Sequence, residues 1–344
     1  MKKYNIVTIG GGTGSFTLLS GLKKYPVNIS AIVSMADDGG STGRLRDELG
    51  VLPPGDVRQC LVALSDSTQT LRDLMNYRFE KGDLAGHSFG NLFLSVMEKT
   101  QGGFLKGVEE ASKILNVKGE VIPVSNQDMN LVIKLKNKKV IVGEKQLDHN
   151  NDVRNIGIEK VYLRPRVKAN KKAITAIKNA DMIVIGPGDH YGSIVPNLLV
   201  EGIPQAIAKS KAKVVYNCNL TNKKGQTDGF DLDRYAEEIN GYIGKERIDF
   251  VLSNSNGLSK YLVEKYEKKE GKDSIVKFNA DKKEKRKYRV VVASVVKMIG
   301  APKRKNDALA ETRSFIRHDS DKLAKVLMMI LEMDERNNLV KEII

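Results

Sequence analysis

The run Gly10-Gly11-Gly12-Thr13-Gly14-Ser15 is suited to phosphate chemistry. Glycines turn sharply and let a ligand approach the backbone with no Cβ in the way. An apolar, β-prone stretch from Tyr4 to Ile9 precedes the run, and Phe16, Leu18, Leu19 and Leu22 follow at helical spacing. Strand, glycine loop and helix together present unpaired N–H groups and the positive end of a helix dipole. Gly10, Gly11, Gly12, Thr13 and Gly14 are therefore candidate nucleotide contacts. The run is not a dinucleotide fingerprint, which wants a third glycine where Ser15 stands. Nor is it a Walker loop, since no Gly-Lys-Ser/Thr follows. With no evident hydride-transfer acid/base pair, an NAD-dependent oxidoreductase ranks last among the readings.

Further polar clusters follow other apolar stretches. Asp37-Asp38-Gly39-Gly40-Ser41-Thr42-Gly43-Arg44 offers acids for ribose hydroxyls, or Asp37 and Asp38 as oxygen ligands for magnesium. Ser41, Thr42 and Arg44 suit phosphate or sugar. Asp56, after Pro53-Pro54-Gly55, reads first as a helix N-cap. Gly86-His87-Ser88-Phe89-Gly90-Asn91 leads into a helix, with His87 as a candidate contact and Ser88 as N-cap. A second glycine loop, Gly186-Pro187-Gly188-Asp189-His190-Tyr191-Gly192-Ser193, can cradle another phosphate or a second substrate. Asn217, Asn219 and Thr221, with Gln226, Thr227 and Asp228, suit sugar hydroxyls or a base edge. The histidines show no metal spacing, and no Ser/His/Asp order or Cys/His pair marks a nucleophile.

These clusters need a scaffold. Strands are expected at Asn28–Ser34, Met182–Ile185, Val214–Tyr216, Phe250–Leu252 and Tyr288–Val292, with helices between them. Alternation of this kind predicts an α/β, Rossmann-like parallel sheet with helices on both faces. Ligands bind such sheets at the strands' carboxyl ends, where five of the clusters fall. The stretch Met35–Pro54 reads as a long loop. Short strands between 118 and 166 read as a small β-rich insertion within one domain spanning 1–344.

Of the 344 residues, 41% are hydrophobic and 29% charged, which places the chain among globular proteins. No apolar run reaches spanning length, and the first strand leaves no room for a cleavable signal. Two cysteines make no disulfide framework. The expectation is a cytoplasmic protein. Of the net charge of +15, the segment Ser259–Lys305 carries +10 from 16 basic and 6 acidic residues. Without interleaved aromatics and with mostly lysine, it reads as a solvated surface, and no nucleic-acid partner is expected.

Taken together, the glycine run, Asp37 to Arg46, Pro54-Gly55-Asp56-Val57-Arg58 and Gly86 to Asn91 resemble the YvcK-type gluconeogenesis factors of the CofD-like family. Gly186-Pro187-Gly188 with Ser193-Ile194-Val195-Pro196-Asn197, Asn219-Leu220-Thr221 with Gly225 to Gly229, and Arg317-His318-Asp319 extend the match over most of the chain. The resemblance adds Asn91, Ser193 and Asn197 to the site. It implies a Rossmann-like fold and binding of UDP-sugars, notably UDP-N-acetylglucosamine. It also implies a cytoplasmic role linking central carbon metabolism to cell-wall synthesis and cell shape, with no established catalysis and with room for a cell-wall-related protein partner or a homo-oligomer. The alternative is CofD-type transfer of a 2-phospholactyl group from a guanine-nucleotide-linked donor to a deazaflavin with magnesium. Asp189-His190 departs from the serine and apolar pair expected there.

Overall fold

The apolar runs that alternate with helices become one parallel sheet. The strands are β1 (Asn5–Gly10), β2 (Asn28–Val33), β3 (Glu120–Pro123), β4 (Asn130–Leu135), β5 (Val140–Val142), β6 (Ile158–Arg164), β7 (Met182–Ile185), β8 (Lys213–Asn217), β9 (Phe250–Asn254) and β10 (Arg289–Ala293). They come from a computed structural model that describes residues 3–255, 258–281, 286–297 and 316–343. Seven strands form the main sheet in the order β10-β9-β8-β7-β1-β2-β3, all neighbours parallel. Helices flank it. A strand covered on both faces must be apolar on both, and all four residues of β7 are fully buried.

The order fixes where a ligand can sit. The chain leaves β1 for β2 and β3 on one side, then returns to β7, β8, β9 and β10 on the other. β1 and β7 are adjacent, so their connections depart in opposite directions and leave a crevice at their carboxyl ends. Helix α1 (Gly12–Leu22) starts at that crevice and packs against α3 (Gly55–Leu64) and the C-terminal helix Ser320–Ile343, once helix α2 (Gly40–Leu49) has intervened in the chain.

Two expectations change. The stretch Met35–Pro54 is not a loop throughout, because α2 occupies half of it. Ser, Thr and Gly disfavour helix locally, but Ser41, Thr42, Gly43 and Leu45 are buried and tertiary packing overrides propensity. Gly50, in the left-handed conformation, ends the helix. The insertion drawn at 118–166 is also smaller. Its first strand, β3, pairs parallel with β2 in the main sheet. Only β4, β5 and β6 form the separate antiparallel sheet, in the order β5-β4-β6. Parts of the basic segment, 282–285 and 298–305, lie outside the described residues, as does Asn256. No helix among the described residues is long and apolar enough to cross a membrane.

Candidate functional site

A cavity of about 390 Å³ opens at the β1/β7 crevice. One wall is the start of α1, with Gly11, Gly12, Thr13 and Gly14. The glycines have intramolecular reasons as well as room for a ligand. Gly12 has φ +60°, and a Cβ on Gly14 would lie 2.2 Å from the Pro187 carbonyl oxygen. The two glycine loops are thus packed directly on each other. Asn197, fully buried beneath them, donates to the Gly10 carbonyl at 3.1 Å and to that of Ser193 at 2.8 Å.

The opposite wall carries Gly188, Ser193, Asn219, Thr221 and Thr227. Asn219 donates to the Gly188 carbonyl at 2.9 Å and accepts from the Tyr216 hydroxyl at 2.9 Å, so its orientation is set. Thr221 donates to the Tyr266 hydroxyl at 3.0 Å. Thr227 accepts from the Lys223 N–H at 3.0 Å. Asn217 stands behind this wall, its amide nitrogen 3.3 Å from His318 Nε2. Asp228 is exposed and accepts from the Gly225 N–H at 2.7 Å, a turn cap outside the cavity.

Carboxyl groups crowd the floor. Asp56 is buried in the first turn of α3, not at its N-cap, and the Gly12 N–H is bonded to it. Burial and the neighbouring Asp37 push its pKa up to about 8. Burial likewise raises Asp37, against the Gly39 N–H and the Thr42 hydroxyl that bond it. Glu144, just past β5, also lines the cavity. Burial and the charges of Asp37, Asp189, Asp56 and Asp148 hold it well above the ordinary range. Asp56 therefore carries a proton at neutral pH and can donate as well as accept.

The insertion reaches the cavity through specific ties. Asp38 accepts from the Lys145 N–H at 2.7 Å. Gln226 donates to the Leu147 carbonyl at 2.9 Å. Lys223 bridges Asp148, at 2.8 and 3.0 Å, and Asp189. Burial alone would raise Asp189, but Lys223 and the Gly192 N–H hold it below the usual carboxylate range. Asp38 is thus committed to the insertion backbone. Among the described residues no group of three or more His, Cys, Asp and Glu is placed to hold a metal.

Ser41, Thr42, His87 and Asn91 do not line the cavity. They form a buried network under α2. Asn91 donates to Ser41 Oγ at 3.3 Å and to Thr42 Oγ1 at 3.5 Å, and accepts from Arg58 Nε at 2.9 Å. Ser41 Oγ also accepts from the Ser88 N–H, which leaves its proton for His87 Nδ1 at 3.2 Å. Burial lowers the His87 pKa, consistent with that neutral, accepting ring. Arg44 turns away to the Ala85 carbonyl at 2.8 Å. Gly186, with φ +76°, serves the loop turn.

Glu144, Asp148, Lys223, Arg317 and His318 also line the cavity, with no spacing in the sequence that marks them. Glu144 and Asp148 lie in the turn and short helix that follow β5 of the separate sheet. Arg317 and His318 lie before the last helix, far along the chain from the glycine runs. Their only sequence signal is the Arg-His-Asp triplet.

Residues 6–296 match the family model described as 2-phospho-L-lactate transferase CofD. The gluconeogenesis factor of Bacillus subtilis is 39% identical over 333 residues, covering 96% of this chain and 99% of that protein. The gluconeogenesis factor of Halalkalibacterium halodurans is 44% identical over 278 residues, covering 80% and 85%. A crystal structure of a Bacillus halodurans protein superposes with a TM-score of 0.85 at 38% identity, over 95% of this chain and 100% of that one. A single sheet topology, one cavity at its switch point and full-length similarity agree, and the chain belongs to the gluconeogenesis-factor group of the CofD-like family.

Proposed function

We propose that the protein is a nucleotide-sugar-binding regulator, with a ligand of the UDP-N-acetylglucosamine kind, that links central carbon metabolism to cell-wall synthesis and cell shape without turnover of its own. The observation that supports it is a single cavity of about 390 Å³ with two chemically different ends. The N-terminus of α1 and the bare backbone of Gly12 to Gly14 favour a diphosphate. Amides and hydroxyls from Asn219, Thr221 and Thr227 favour an uncharged, hydroxyl-rich group. The relatives' name supports the metabolic half of the reading. The cell-wall half follows from the resemblance to the YvcK-type proteins.

Transfer of a 2-phospholactyl group has the family description in its favour. Magnesium would neutralise phosphoryl charge there, held by Asp37 or Asp38 together with the ligand's phosphates. Thermal shift and calorimetry against UDP-N-acetylglucosamine, UDP-glucose, GDP, GTP and NAD, with and without magnesium, separate the readings. A regulator gives a metal-independent response to the UDP-sugar, worth about 2.7 kcal/mol at a hundredfold excess over Kd, and returns the ligand intact. A magnesium-dependent response to guanine nucleotides alone overturns it.

A further inference from the structure

His190 opens the wide π-type turn His190–Ile194 that follows the second glycine loop. Such turns recur at functional sites because they re-aim side chains. The ring lines the cavity, yet the residue is only 2% exposed. Among the described residues neither ring nitrogen has a hydrogen-bond partner. Its neighbours are aromatic faces and edges: Tyr191, Tyr235 and Phe230, with ring centroids at 4.7, 5.2 and 6.2 Å. The Tyr235 phenol is already committed, since its hydroxyl donates to Asn222 at 2.9 Å.

This arrangement is costly without a ligand. An apolar residue would fill an aromatic box with no unpaired donor or acceptor, whereas a buried imidazole leaves one of each. Burial lowers its pKa to about 3, so the ring is neutral and offers one N–H and one lone pair. The partner it lacks is not a phosphate. Asp189 is the adjacent residue, and Glu144 Oε1 lies 2.5 Å from where a Cβ of Gly192 would sit in the same turn. An anion placed there meets the Asp189 carboxylate, and the cation beside it, Lys223, is already held by Asp189 and Asp148.

We infer that His190 is a specificity residue that turns a ring nitrogen into the cavity when ligand binds and hydrogen-bonds its uncharged polar end, a hydroxyl or an amide. This rests on the nucleotide-sugar reading and adds which side chain reads the sugar. Turning the ring loses no existing hydrogen bond, so the ligand's own bond is the net gain.

The test compares UDP-N-acetylglucosamine with UDP by calorimetry on the whole chain. Its four histidines also allow selective ¹⁵N-labelling and a direct reading of each ring. In the wild type, the His190 nitrogens should shift on adding the UDP-sugar and stay put on adding UDP. His190→Leu should weaken the UDP-sugar about tenfold, or about 1.4 kcal/mol, and leave UDP within twofold. His190→Gln, which keeps a donor and an acceptor, should recover most of the loss. An equal loss for both ligands, no loss for either, or sugar binding with unmoved His190 nitrogens overturns the inference. If His190→Leu does not fold, the ring shifts and His190→Gln still decide. A wild type that binds neither ligand removes the nucleotide-sugar reading itself, an outcome distinct from all of these.

Discussion

The molecule holds two polar clusters that look alike in sequence and differ in chemistry. Around Ser41, Thr42, His87, Asn91 and Arg58, the polar groups are buried and pair with one another. Around His190, Asn217 and Asn197, buried polar atoms have no partner among the described residues: both His190 nitrogens and the two amide oxygens. The first cluster is a closed network, and closed networks fix structure. In the second, His190 lines the cavity with both ring nitrogens unpaired, and an open buried group there points to something that completes it. Residue type alone does not separate a scaffold from a site; hydrogen-bond satisfaction does.

The contrast is broken most directly at Asn91. Asn91→Leu removes the acceptor for Arg58 Nε and the donor to Ser41 and Thr42. Hydrogen bonds to a charged group contribute about 1.5–3 kcal/mol, so a loss of about 3 kcal/mol in urea melts is expected. Ligand affinity of the folded fraction should not change. A variant that keeps its stability but loses ligand would move this network into the site.

How much of this was legible beforehand follows from what each signal depends on. Strands such as Met182–Ile185 are readable because burial on both faces demands an unbroken apolar run. The glycine loops are readable because backbone conformation and close approach restrict the residue. Helix α2 is not, because Ser41, Thr42 and Gly43 are helical through burial rather than propensity. Ser41 and Thr42 read as ligand contacts for the same reason that they serve a network: a hydroxyl does not announce its partner. Glu144 is invisible locally. It follows β5 of the separate sheet, and Asp38, whose carboxylate accepts from the Lys145 N–H, lies 107 positions from Lys145.

The crowded carboxyls sharpen the contrast through pH. Asp56 has a folded pKa of about 8, above an unfolded value near 4. Between those values the folded state holds more protons than the unfolded one, so stability falls as pH rises through that window and levels off above it. One such group contributes at most about 1.4 kcal/mol per pH unit. Asp56→Asn keeps an oxygen for the Gly12 N–H and cannot ionise. Its melting temperature should therefore rise relative to wild type from pH 5 to pH 9, read by calorimetry without ligand. A constant difference across that range would mean that Asp56 ionises normally and that the floor of the cavity is wetter than its burial implies.

The smallest expected stability effect is at the tie between the two regions. Asp38 borders the closed network and holds the insertion that brings Glu144 and Asp148 to the open one. Its bond to Lys145 is exposed, so Asp38→Ala should lower stability by only about 1 kcal/mol. The stretch Gly143–Asp148 would keep its other ties, from Gln226 and Lys223, but lose the one nearest Glu144. Proteolysis near Lys145 should quicken, and ligand affinity should fall severalfold while the urea midpoint barely moves. That dissociation between affinity and stability is the inverse of the Asn91 result. If Asp38→Ala instead lowers stability and affinity in proportion, the insertion belongs to the scaffold, and the boundary between the two regions lies on the other side of β5.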